Sequence, residues 1–170
     1  LLLGGRYASS LPLLDATLPS AAGTVPFVAA IDPKSQHVKW SFPDAFAISG
    51  FDPQRWYSVV DLAAAGTPEC GALYVIGCSA PPTATVLDCA TPEPGKTGFL
   101  TKLDLATGQP IWTEEIALGD PATDTFVPTA ITASSDHVWV ASTFSGAATG
   151  WGMSLVSGPS KESTVLRFPL

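Results

Sequence analysis

Two separated segments of this chain recur at the same pair of offsets, and that recurrence limits the fold more than any other feature. Leu1 to Tyr7 (LLLGGRY), Leu73 to Ser79 (LYVIGCS) and Val138 to Phe144 (VWVASTF) superpose after shifts of 72 and then 65 positions. Phe27 to Ile31 (FVAAI), Phe99 to Leu103 (FLTKL) and Thr164 to Phe168 (TVLRF) superpose at the same two shifts. A shared pair of offsets means that the connection between the segments keeps nearly one length in every copy. A third segment recurs twice, 72 positions apart: Ala30 to Trp40 (AIDPKSQHVKW) and Lys102 to Trp112 (KLDLATGQPIW). Each places an Asp, then Ser or Thr three residues later, then Trp eight residues after the Asp. Repeats of this period are units that bury their apolar faces against their neighbours.

The repeated segments alternate and are rich in Val, Ile, Leu, Phe, Tyr and Trp, which predicts strands. One unit reads as four. The first is Tyr57 to Leu62 or Thr129 to Ala133, and the second is Ala72 to Gly77 or His137 to Ser142. The third is Phe99 to Leu103 and the fourth Gln109 to Glu114. Four antiparallel strands recurring at this spacing predict an all-β fold, a β-propeller of four-stranded antiparallel blades. The chain would hold about three partial blades: residues 1–40 as the last three strands of one, 41–115 as a complete one, and 116–170 as the first three strands of another. Such a ring is incomplete. It predicts a piece of a longer polypeptide, or one completed by another chain. Three long connections, Ala8 to Thr24, Ala80 to Lys96 and Ser145 to Lys161, read as loops decorating one rim.

Within the repeated segment, Asp104 and Thr107 predict a tight turn, with the carboxylate accepting backbone N–H groups. Gly108 suits the left-handed position that follows; Gln36 stands there in the first copy. Asp32 and Trp40, and Asp104 and Trp112, then form a device that docks one blade on the next.

These residues carry a resemblance. Asp32 to Trp40, and Asp104, Thr107 and Gly108 to Trp112, resemble the tryptophan-docking motif of quinoprotein-type (PQQ-like) β-propeller repeats. The resemblance implies blades around a central axis, in a family that holds quinone-dependent dehydrogenases and non-enzymatic scaffolds. The dehydrogenases carry adjacent cysteines over the cofactor and a calcium held by Glu and Asn. This chain has neither adjacent cysteines nor any Asn. The reading is therefore a non-catalytic scaffold or protein-interaction segment, with no cofactor and no metal. Its partner is another protein or the remainder of the same propeller. The alternatives are a fragment of a quinone-dependent alcohol or sugar dehydrogenase, and a glycan-binding propeller using Trp56 or Trp151 as exposed platforms.

Composition excludes other classes. With 46% apolar and 14% charged residues, the chain is globular and not a disordered polyelectrolyte. A net charge of −7 opposes nucleic-acid binding. The longest uncharged stretch, Val138 to Ser160, is broken by glycines and a proline, which argues against a membrane span. The chain opens at Leu1 without a basic stretch, so no intact signal peptide is expected, and a start other than Met suggests processing or a fragment. Thr91 to Thr97 (TPEPGKT) ends like a phosphate loop but lacks its first Gly and precedes a strand. His37 and His137 lack any metal-ligand spacing, and no hydrolase elbow is present.

Three cysteines leave one over. Cys70 and Cys78 flank one strand and stand about 26 Å apart at ~3.3 Å per residue, beyond disulfide reach. Cys78 and Cys89 flank a Pro-rich loop that can fold back, and are the candidate pair. A disulfide, low charge and abundant Thr, Ser and Pro point to an extracellular or cell-surface setting.

Overall fold

The computed structural model describes residues 1–42, 55–84, 88–158 and 160–169, and within these the chain is built from strands and turns alone. β1 (Leu2–Leu13), β2 (Ala16–Asp32) and β3 (His37–Phe42) form an antiparallel sheet in chain order. β4 (Trp56–Ala65), β5 (Ala72–Ala80), β6 (Thr97–Asp104) and β7 (Pro110–Glu115) form a four-stranded one, also in chain order. β8 (Ala117–Leu118) leaves this sheet. β9 (Thr125–Ala133) and β10 (His137–Ser145) pair with β13 (Glu162–Pro169) in the order β13-β10-β9. The hairpin between them, β11 (Ala147–Gly150) and β12 (Met153–Val156), pairs with β8 in a small sheet of its own.

Alternation explains how the sheets stack. On β5, Leu73 and Val75 face one side and join Val28, Tyr57, Phe99 and Leu103 in a core against the first sheet. Tyr74 and Ile76 face the other side and join Leu100, Phe126, Val138, Val140 and Trp151 against the third. β5 is thus apolar on both faces, as a strand between two packed layers must be. Small residues set the spacing. A Cβ on Gly4 would lie 2.9 Å from Val59 Cγ1, and one on Gly98 2.8 Å from Pro128 Cδ. At a bulge in β4, Asp61 reaches across to accept the Ile131 N–H of β9 at 3.0 Å.

The all-β expectation holds, and the propeller expectation does not. One sheet is curled into a half-barrel and the other three are open and flat. Blades need a strong, uniform twist from inner to outer strand and closure into a ring. Among the described residues, only one of the four sheets has four strands. The first sheet is irregular and folds back on itself. Ser9 sits at φ +63° beside two register shifts, and the β1–β2 hairpin bends back there. Its tip returns to β3, where Asp15 accepts the Val38 N–H at 2.9 Å and pairs with His37 Nδ1 at 2.6 Å. Leu18 closes this fold-back against Tyr7 and Phe27.

Two of the three long connections are also corrected. Ala8 to Thr24 lies within the β1–β2 hairpin, and Ser145 to Lys161 contains β11 and β12. The remaining one, Ala80 to Lys96, is a loop in its described part; residues 85–87 and the 43–54 connection lie outside the described residues.

Candidate functional site

The repeated motif builds a turn by local hydrogen bonds. Asp104 Oδ1 accepts from the Thr107 N–H and from Thr107 Oγ1, both at 2.8 Å. These two bonds hold its carboxyl below the ordinary aspartate value of 3.8. Gly108 follows at φ +73°, and its N–H reaches the Asp104 carbonyl at 2.8 Å. In the first copy Asp32 accepts the Lys34 N–H at 2.9 Å, and Gln36 takes the left-handed position at φ +58°.

The two tryptophans of the motif part company. Trp40 lies across the β6–β7 turn, with its ring against the face of Gly108 and Nε1 donating to the Leu105 carbonyl at 3.1 Å. Trp112 has no such seat and is 39% exposed. The same local pattern thus meets two different surroundings.

Trp112 stands instead at the mouth of a cleft of about 260 Å³ between the second and third sheets. Tyr74, Leu100 and Lys102 form one wall together with Trp112 and Glu114 of β7; Val138, Trp151, Phe168 and Pro169 form the other. β7 and β13, which flank the opening, are both terminal strands of their sheets. Trp151 is fixed by Glu114, whose Oε1 accepts its backbone N–H at 2.7 Å and whose carbonyl accepts Nε1 at 3.0 Å. Phe126 and Phe168 meet the same indole edge-on, at 5.5 and 5.7 Å between ring centres. Lys102 Nζ sits 5.5 Å from the centre of the Tyr74 ring. The cleft offers four aromatic faces, one ammonium and one carboxylate, a combination suited to an apolar group carried on a polar backbone.

A second, more open cleft of about 340 Å³ adjoins the disulfide, lined by Arg6, Ser58, Val59, Asp88, Cys89 and Thr129. Cys78 and Cys89 are joined, with their Cα atoms 5.8 Å apart. Cys78 is fully buried against Trp56 and Ala80. The loop that carries Cys89 has a second fastening. Lys96 is wholly buried, and its ammonium donates to the carbonyls of Asp88 and Thr91, both at 2.8 Å, and lies 3.4 Å from Glu93. Cys70 is an exposed free thiol. Among the described residues there is no group of three or more His, Cys, Asp or Glu side chains able to hold a metal. Nor is any helix among them long and apolar enough to cross a membrane.

No protein-family model, curated protein or solved structure matches this chain. The resemblance to PQQ-like repeats therefore finds no support, and the readings drawn from it are withdrawn: propeller scaffold, dehydrogenase fragment and glycan-binding propeller. The glycan reading also fails on geometry, since Trp56 and Trp151 are 7% and 6% exposed and present no open platform.

The sequence reading missed Tyr74, Lys102, Glu114 and Phe168 as cleft residues, because each looks like an ordinary strand residue. Trp151 did carry a signal. It stands between two glycines, and all three residues have positive φ, so the backbone is bent to push a large side chain inward.

Proposed function

We propose that this chain is a protein-binding domain whose recognition site is the aromatic cleft between β7 and β13. The observation that carries the reading is Trp112, a large aromatic left at the lip of a cleft whose other aromatic walls are buried or half-buried. Exposed aromatics beside a concave apolar site are what binding energy concentrates on. Lys102 and Glu114 lie where they can hydrogen-bond the backbone of an incoming segment while an apolar side chain fills the cleft. The setting proposed is extracellular or at a cell surface, supported by the Cys78–Cys89 bond, which persists in oxidising compartments.

Titration with N-acetyl-phenylalaninamide tests the cleft directly. Saturable amide shifts at Tyr74, Trp112, Trp151 and Phe168 are expected, and they vanish in Trp112→Ala. Shifts spread over the surface, or unchanged by that substitution, would refute the reading.

A further inference from the structure

We propose that the open cleft beside the disulfide is a thiol-exchange site, where a small anionic thiol attacks Cys89 and is held as a mixed disulfide. This site goes beyond the binding reading above and uses none of its residues.

Access decides which sulfur reacts. Cys78 is fully buried with Trp56 and Ala80. Cys89 is half-buried and lines the cleft of about 340 Å³, together with Arg6, Ser58, Asp88 and Thr129. A thiolate arriving from solvent therefore meets Cys89 and not Cys78. A cleft of that size accommodates a thiol between cysteine and a cysteinyl tripeptide. Its walls come from β4, β9 and residues 88–90, well inside the chain, with Arg6 of β1 at one side.

Charge selects the thiol. The Arg6 guanidinium carbon lies 4.9 Å from the centre of the Trp56 ring, and Trp56 packs against both cysteines. A cation held one indole away from the disulfide draws an anion to it. The Asp88 carboxylate lines the same cleft, but it accepts the Thr91 N–H at 2.7 Å and the Thr91 hydroxyl at 3.4 Å, bonds that partly offset its charge.

The step balances without an outside oxidant or reductant. The incoming thiolate forms a bond to Cys89 Sγ as the bond between Cys89 and Cys78 breaks. The electron pair leaves on Cys78 Sγ, which takes a proton from water. One disulfide replaces another. Lys96 keeps the Cys89 segment in place through the carbonyls of Asp88 and Thr91. The Cys78 thiol thus stays beside the mixed disulfide, from a closed form in which the two Cα atoms are 5.8 Å apart, and returns to expel the thiol. The capped state is reversible and follows the thiol concentration.

The experiment uses the full chain carrying Cys70→Ser, which removes the exposed thiol. Glutathione is the anionic probe and cysteamine the cationic one. After an acid quench and alkylation in denaturant, peptide mass spectrometry should find the glutathione adduct on Cys89 at least about tenfold more often than on Cys78. The rate should rise linearly with thiol and stay unchanged in about 1 M urea, as attack on the folded state requires. Arg6→Gln should slow glutathione about three- to fivefold and cysteamine less than about twofold. A fold loosened by that substitution would speed both thiols, so the ratio of the two rates reads the charge of Arg6 alone. Adduct shared equally between Cys78 and Cys89 would overturn the proposal. So would a rate that levels off at the unfolding rate, or an equal response of both thiols to Arg6→Gln.

Discussion

Breaking the Cys78–Cys89 bond should destabilise the domain by an amount that follows from the loop it closes. The two cysteines are 11 residues apart. The chain-entropy relation for a loop of that length gives about 2.8 kcal/mol at 25 °C, all of it exerted on the unfolded state. For a domain of this size that corresponds to a fall in Tm of roughly 6–11 °C. The assay is urea unfolding of the oxidised chain against the same chain reduced in denaturant and refolded with reductant, both in a Cys70→Ser background to prevent exchange. Reduction is preferable to Cys78→Ala, because Cys78 is fully buried and truncating it adds a packing loss of order 1 kcal/mol. Lys96 sharpens the reasoning. Its bonds to Asp88 and Thr91 hold the Cys89 loop in the folded state whether or not the disulfide is present. The folded structure should therefore survive reduction, with protection unchanged at the Gly95 and Phe126 amides, which donate to the Asp124 and Lys96 carbonyls. Midpoints agreeing within about 0.5 kcal/mol at equal slope would refute the loop-entropy argument. Loss of protection at those two amides would refute the role given to Lys96.

Other outcomes follow from the same contacts. Lys96→Met removes the donor to the Asp88 and Thr91 carbonyls and should cost about 1–3 kcal/mol for each one not rescued by water, read as a lower urea midpoint; a neutral result would mean that both carbonyls reach solvent. Gly77→Ala drives a Cβ into the Phe99 ring and the Ser58 carbonyl. Because a backbone atom stands in the way, the loss should be at least about 1–3 kcal/mol, and a midpoint equal to wild type would show the close approach to be soft. Asp15, Asp32, Asp88, Asp104 and Asp124 all titrate below the ordinary aspartate value of 3.8, each with hydrogen bonds from nearby backbone N–H groups as a cause, and for Asp104 the Thr107 hydroxyl first. Depressed folded values stabilise the fold fully above the unfolded value and less as pH falls through the folded ones. Stability should therefore decline below about pH 4. Asp104→Asn should flatten that decline; an unchanged acid limb would show that the turn carboxylate does not contribute.

Strands and turns were legible in the sequence because their causes are local. Alternation along Phe99 to Leu103 reports a strand wherever that strand ends up, and it lies within β6. Asp104, Thr107 and Gly108 make their turn with bonds that span at most four residues. The all-β class followed from such signals summed along the chain.

The arrangement of the sheets was decided only in three dimensions, because twist, curl and contact depend on residues far apart in the chain. Trp40 and Trp112 share one local pattern, yet one is seated on Gly108 and the other stands open, because only the first has a neighbouring turn to lie on. The β1–β2 hairpin folds back onto β3 because Asp15, at its tip, finds His37 and Val38 some twenty residues later. Trp151 enters the core because Glu114, on another sheet, takes up both of its N–H groups. Repetition in the sequence determined which segments become strands and how they hairpin. Long-range packing between unlike neighbours determined that the repeats do not build like units, and it placed the aromatic cleft where two of them diverge.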